Sequence, residues 1–181
     1  HSTIYRWVQE YAPIFYQLWK RKHKKTYYKW RIDETYIKIK GQWCYLYRAI
    51  DADGHTLDIW LRKKRDHQSA YAFIKRLIKQ FGKPQMIITD QAPSMKVAMS
   101  KLRKDFKLKS NCHCTSKYLN NLIEQDHRHI KMKKTSYRSI NTAKNTLKGI
   151  ECIYGLYKRN RMSLQIYGFS PCHEISYMLV S

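Results

Sequence analysis

Residues 30–61 read WRIDETYIKIKGQWCYLYRAIDADGHTLDIWL, and their alternation decides the fold. Ile37 and Ile39 alternate with Lys38 and Lys40, and Gly41 breaks the run. Trp43, Tyr45 and Tyr47 then alternate with Cys44, Leu46 and Arg48. Asp53-Gly54 marks a turn, and Leu57, Ile59 and Leu61 alternate beyond it. A period of two interrupted by turn residues predicts three antiparallel strands in succession.

Downstream of Asp66 the period changes. Tyr71, Ile74, Leu77, Ile78 and Phe81 recur at helical spacing, and Gly82 closes the helix. Pro84 leads into a short apolar strand, Met86-Ile87-Ile88, that ends at Thr89-Asp90. A second helix is predicted from about Pro93 to Phe106, then an irregular stretch or short strand over 107–117. A further helix carries Glu124, and a long one covers 140–160. Gly149 and Gly155 weaken that last helix by about 1 kcal/mol each relative to Ala. Upstream, Ser2 caps a helix reaching about Lys20, with Pro13 a point of kinking or splitting. The order β-β-β-α-β-α-(β)-α is that of a ribonuclease-H-like, retroviral-integrase-like α/β fold: a mixed sheet flanked by helices.

The chain has 36 Lys and Arg against 13 Asp and Glu, a net charge of +23. Such an excess answers to a polyanion, and nucleic acid is the usual one. The basic stretch Lys20, Arg21, Lys22, Lys24, Lys25, Lys29 and Arg31 is either a solvated linker or a phosphate-contacting arm, and the interleaved Trp19, Tyr27, Tyr28 and Trp30 favour the arm. No run of about 18 apolar residues exists, which excludes a membrane-spanning helix. Five cysteines without a disulfide pattern fit a reduced cytoplasm. The chain opens inside a predicted helix without Met, which points to a fragment of a longer protein.

In so basic a chain each carboxylate near the core needs a reason. Phosphoryl transfer on DNA supplies one, because oxygen ligands suit Mg²⁺ or Mn²⁺. Asp33 and Glu34 fall on opposite faces of the first strand, so only one of them faces a site. The competing reading of Asp33 is an edge-strand acid paired with Arg31 or Lys38. Asp90 ends an apolar strand, where ligands collect in α/β sheets; as a helix N-cap it would serve equally well. Glu124 follows Asn121 by three residues, which also describes a capping box. His127, Arg128 and Lys131 share the Glu124 helix face and are candidate DNA contacts, as are Arg6, Lys24 and Lys25 near the start. Asp51, Asp53 and Asp58 read as turn or surface acids. Cys112-His113-Cys114 is too closely spaced for a typical zinc pair and reads as an ordinary segment.

Asp33-Glu34-Thr35-Tyr36, Trp43 to Tyr47 leading into Arg48-Ala49-Ile50-Asp51, Thr89-Asp90, and Tyr118 to Asn121 running through Glu124 to His127 resemble insertion-sequence transposases of the insertion-sequence-six family, staphylococcal type. The resemblance implies that Asp33, Asp90 and Glu124 form a DDE triad holding two Mg²⁺ (or Mn²⁺) ions. It matches Lys131 to the family's basic residue seven positions after the glutamate. It also implies strand cleavage and strand transfer on DNA, with terminal inverted repeats and target DNA as partners. A homo-oligomer on DNA, away from membranes and in a bacterial, nucleoid-associated cytoplasm, follows from the same likeness. The family carries a longer N-terminal helix-turn-helix. Here residues 1–26 are expected to be its helical remnant with a basic linker, and 27–181 the catalytic domain. The alternative expectation is a catalytically inactive DNA-binding remnant.

Overall fold

Strand β1 (Lys29–Ile39) lies at the centre of a five-stranded sheet ordered β3-β2-β1-β4-β5. The computed structural model describes residues 2–22, 29–116, 119–120, 123, 130, 137–162 and 170–180. Strands β2 (Gln42–Ile50) and β3 (Thr56–Arg62) continue from β1 as an antiparallel meander. Strands β4 (Met86–Thr89) and β5 (His113–Thr115) add in parallel on the other side. The first hairpin turns on Lys40 and Gly41, with φ of 47° and 80°. Two consecutive positive φ values match the right-handed twist of the flanking strands. The second connection is wider than a two-residue turn. Asp51 organises it, accepting the His55 backbone N–H at 2.8 Å on Oδ1 and the Gly54 N–H at 3.1 Å on its carbonyl.

Helix α2 (His67–Phe81) begins at Asp66, whose side chain accepts the Ser69 N–H at 2.7 Å. It ends at Gly82, whose N–H reaches the Ile78 carbonyl at 2.9 Å. Helix α3 (Pro93–Phe106) starts with proline in its first turn, where a missing N–H costs nothing. Their apolar stripes, Phe73, Ile74 and Leu77 from α2 and Met95, Met99 and Leu102 from α3, close over Trp30, Ile32, Tyr47, Ala49 and Ile87 of the sheet. The opposite face of the meander is buried too, at Ile37, Ile39, Leu46, Arg48, Ile59 and Leu61.

Contacts group the chain into two compact units, Lys25–Ser136 and a second made of His1–Lys24 with Tyr137–Ser181. The first holds the sheet with α2 and α3. The second is helical: α1 (Ser2–Lys22), α4 (Ile140–Met162) and α5 (Pro171–Val180). This compactness cuts the chain differently from the expected division at residues 26 and 27, because α4 packs along α1. Helix α1 runs unbroken through Pro13. Gln9 donates to Thr146 Oγ1 at 2.9 Å and accepts from Asn145 at 3.1 Å on its carbonyl. One helix turn on, a Cβ at Gly149 would sit 2.9 Å from the Ala12 Cβ; further along, one at Gly155 would sit 3.0 Å from the Trp19 indole. The two glycines that weaken α4 in isolation are therefore where α1 approaches it. The expected helical period stops near residue 160, and the structure adds α5. Among the described residues no helix is long and apolar enough to cross a membrane.

Candidate active site

Asp33 lies near the middle of β1, the central strand, and so is not an edge-strand acid. Its cross-strand partner on β2 is Arg48, which is fully buried and donates to Thr56 Oγ1 at 2.9 Å. Partners in an antiparallel pair project to the same face, so Asp33 shares its face with a guanidinium. Arg31, two residues earlier, donates instead to backbone. Its Nε reaches the Leu119 carbonyl at 3.0 Å, and its Nη1 the carbonyls of Asp51 and Ala52 at 3.4 and 3.3 Å.

Asp90 follows the last residue of β4. The parallel register pairs Lys29 with Met86, Trp30 with Ile87 and Arg31 with Ile88. The paired register ends there, two residues before Asp33 on β1 and two before Asp90 on the β4 side. Asp90 Oδ1 accepts the Ala92 N–H at 3.1 Å, closing an Asx turn ahead of α3, whose N-cap position is Ala92 and not Asp90. That uses one oxygen and leaves Oδ2. Thr89 steadies the strand end. Its hydroxyl donates to the Asp90 carbonyl at 2.9 Å and contacts His113 Nε2 at 2.8 Å. With its single proton so used, the hydroxyl accepts from His113 Nε2–H. Burial holds the His113 pKa below the ordinary value, and Arg103 and Lys96 add to the effect. Residues Cys112-His113-Cys114 thus lead into and form the β5 edge of the sheet, with Cys112 in the core.

Glu34 projects to the face opposite Asp33, as strand alternation demands. Its side chain is only 4% exposed and pairs with Arg65, which is 48% exposed. Burial raises the Glu34 pKa; Arg65 opposes the rise, and the nearby Asp90 carboxylate adds to it. The buried phenol of Tyr47 is also raised, by burial and then by Glu34. No sequence signal links Glu34 to Arg65, which lies 31 positions away. Asp58, expected at the surface, is fully buried, and Asp51 nearly so. Asp58 accepts from Arg76 Nε at 2.7 Å and from the Ile59 N–H at 2.8 Å, so both oxygens are engaged.

Glu124, His127, Arg128, Lys131, Lys24 and Lys25 lie outside the described residues. Arg6 is on α1 and exposed. Among the described residues no cluster of three His, Cys, Asp or Glu stands ready for a metal; Asp33 and Asp90 are two of the three expected ligands.

A DDE domain family of IS240-type transposases matches residues 27–160. The chain belongs to the DDE transposase family. Two relatives from Staphylococcus aureus are each 84% identical over all 181 residues, covering 100% of this chain and 81% of the relative. They are the transposase of the insertion sequence-like element IS431mec and that of IS257 in transposon Tn4003. The fold is shared with the catalytic core domain of BIV integrase, at a TM-score of 0.52 and 14% identity, over 84% of this chain and 96% of that one. The architecture is therefore ribonuclease-H-like. By class the DDE domain is a polynucleotidyl transferase of an insertion sequence.

Proposed function

We propose that Asp33, Asp90 and Glu124 form the centre at which this transposase cleaves and joins DNA. The observation that supports the reading is that Asp33 and Asp90 each follow, by two residues, the last pair of the parallel β1–β4 register, Arg31 with Ile88. The donor set fits a hard divalent cation in its chemistry: both groups are carboxylates, and Asp90 keeps Oδ2 after Oδ1 closes the turn ahead of α3. The three carboxylates would hold two Mg²⁺ or Mn²⁺ ions, whose chemistry when bound is to activate the attacking oxygen and stabilise the leaving one.

Water attacks a phosphodiester at the end of the element, and the bond to the 3′ oxygen breaks, freeing a 3′-hydroxyl. That hydroxyl attacks a target phosphodiester in line, forming one P–O bond as another breaks. No covalent protein–DNA intermediate is needed. The protein's part is positioning and charge. Strand β1 carries Asp33, the turn after β4 carries Asp90, and the basic groups hold the DNA backbone. Lys131, Arg128 and His127 follow Glu124 in sequence and are assigned to DNA, together with Arg6, Lys24 and Lys25. Terminal inverted repeats and target DNA are the partners, bound by a homo-oligomer in the bacterial cytoplasm at the nucleoid. Residues 1–26 contribute a helix and a basic linker to DNA binding, and 27–181 act as the catalytic domain. The net charge of +23 and the family match beginning at residue 27 support this division of labour.

The test is Asp90→Asn in the full-length transposase, with cleavage and filter binding measured side by side on a transposon-end duplex in Mg²⁺ or Mn²⁺. Asparagine keeps an oxygen for the Ala92 N–H and so keeps the Asx turn. Cleavage should collapse while DNA binding persists or tightens. Unimpaired cleavage removes Asp90 from the centre. A parent that binds but does not cleave is the inactive remnant.

A further inference from the structure

We propose that Arg65 is a DNA-phosphate contact of this transposase, held in place by the buried carboxylate of Glu34. The inference rests on the reading that Asp90 belongs to the catalytic centre. It starts from an asymmetry in one ion pair. The Glu34 side chain is 4% exposed and the Arg65 side chain 48%. A surface pair has both partners in water, and a core pair has neither. Here the desolvation falls on the acid, and the exposed group is the base. Such a pair contributes little as a stabilising device, because the cost of burying a carboxylate offsets most of the attraction.

What the pair does is fix a guanidinium. Arg65 donates through Nε to Glu34 Oε1, and among the described residues Glu34 is its only hydrogen-bonding partner. One edge of the planar fork is therefore spent on the protein. The other edge, with its Nη donors, is available to an acceptor from outside. That is the geometry in which arginine recognises phosphate, and lysine cannot reproduce it, having a single point charge. The backbone is fixed as well. Arg65 immediately precedes Asp66, the N-cap of α2, which is anchored by the Ser69 N–H. The first turn of α2 contains no acid to compete for the guanidinium.

The location supplies the ligand class. Glu34 adjoins Asp33 on the central strand and projects to the other face, where it pairs with Arg65. Arg65 is near enough to Asp90 for their charges to interact. A half-exposed cation within electrostatic reach of that carboxylate meets an anion that approaches Asp90. On a strand-transferring enzyme with a net charge of +23, that anion is a backbone phosphate of the DNA.

The experiment uses full-length transposase and a transposon-end duplex, with affinity read by fluorescence anisotropy across a salt series. The variants are Arg65→Ala, Arg65→Lys, Glu34→Gln and the double variant Glu34→Gln/Arg65→Ala. The double variant removes the stranded buried charge that could unfold Arg65→Ala alone. Loss of one phosphate contact should flatten the log–log salt dependence by about 0.9 and weaken binding on the order of tenfold at moderate salt. The double variant should show that change with an unaltered far-ultraviolet circular dichroism spectrum. Glu34→Gln should weaken binding in the same direction although Arg65 is retained, and Arg65→Lys should keep most of the slope while losing cleavage rate. A folded double variant with the parental salt slope overturns the proposal, as does Glu34→Gln binding like the parent. Asp90→Asn, measured alongside, reports on the catalytic reading separately: cleavage by that variant would sink the centre, whereas the salt slope speaks only to Arg65.

Discussion

Arg31 and Leu119, 88 positions apart, are joined by a 3.0 Å hydrogen bond from the guanidinium Nε to the backbone carbonyl. The same side chain also donates to the carbonyls of Asp51 and Ala52. One residue of the central strand thus ties down the β2–β3 connection and the segment that begins five residues before Glu124.

Arg31→Ala should lower the stability of the α/β unit by about 1–2 kcal/mol, since hydrogen bonds to a charged donor are worth more than neutral ones. Amide exchange should quicken at Leu119 and Asn120 and at Ala52 ahead of the core strands. Arg31→Lys should recover little, because an ammonium cannot span three carbonyls in the fork geometry. Parental exchange at Leu119 in the alanine variant would show that this contact holds nothing.

The elements were legible because each carries its own period. Alternation from Ile37 to Leu61 gives the meander, and the switch to helical spacing after Asp66 gives α2. Alternation also separates Asp33 from Glu34. What a period cannot show is the partner of a face. Nothing in residues 29–31 announces that they pair with 86–88. Nothing marks Arg65 as the counter-ion of Glu34, or Asp58 as buried beneath Arg76. Helix α1 has an evident apolar stripe, yet its packing on α4 joins residues more than a hundred positions apart. The glycines of α4 make the same point, since propensity alone counts them only as weaknesses.

Gly149→Ala should destabilise the helical unit despite the better helix propensity of alanine. The gain is about 1 kcal/mol, but the new Cβ would lie 2.9 Å from the Ala12 Cβ, a backbone-anchored atom that cannot swing away. A net loss of about 1 kcal/mol is expected in urea unfolding. Ala12→Gly in the same chain removes the opposing methyl and should recover the part of the loss due to the clash. A more stable single variant would mean that the helices can separate freely.

Asp58 and Arg76 should respond unequally to truncation. The Asp58 side chain is fully buried and that of Arg76 is 39% exposed. Removing the arginine takes the counter-charge from a buried carboxylate, at a cost of about 3–5 kcal/mol; removing the aspartate leaves a cation that can turn to water, at a smaller cost. Denaturant midpoints of Arg76→Ala and Asp58→Ala give the order directly. Equal losses would argue that water reaches Asp58 once its partner is gone.

Asp66 gives the fold a pH dependence of known sign. Its carboxylate accepts the Ser69 N–H, and that bond holds its pKa below the ordinary value of 3.8. A depressed folded pKa means that the unfolded chain binds the proton first as pH falls. The stabilisation is therefore complete above the unfolded value and is lost as pH drops through the folded one. The cap itself is worth about 1 kcal/mol, and its position near solvent keeps the charge contribution small. Asparagine caps a helix about as well but carries no titrating proton. Asp66→Asn should thus unfold at nearly the parental urea concentration at neutral pH. Below about pH 4 the parent should lose ground to it, by a fraction of the cap energy that grows with acidity. Other acids titrate in both proteins, so the quantity to follow is the difference between the two midpoints, measured from pH 7 to pH 3. A difference that stays constant over that range would mean that the Ser69 hydrogen bond contributes equally to the charged and neutral forms of the cap.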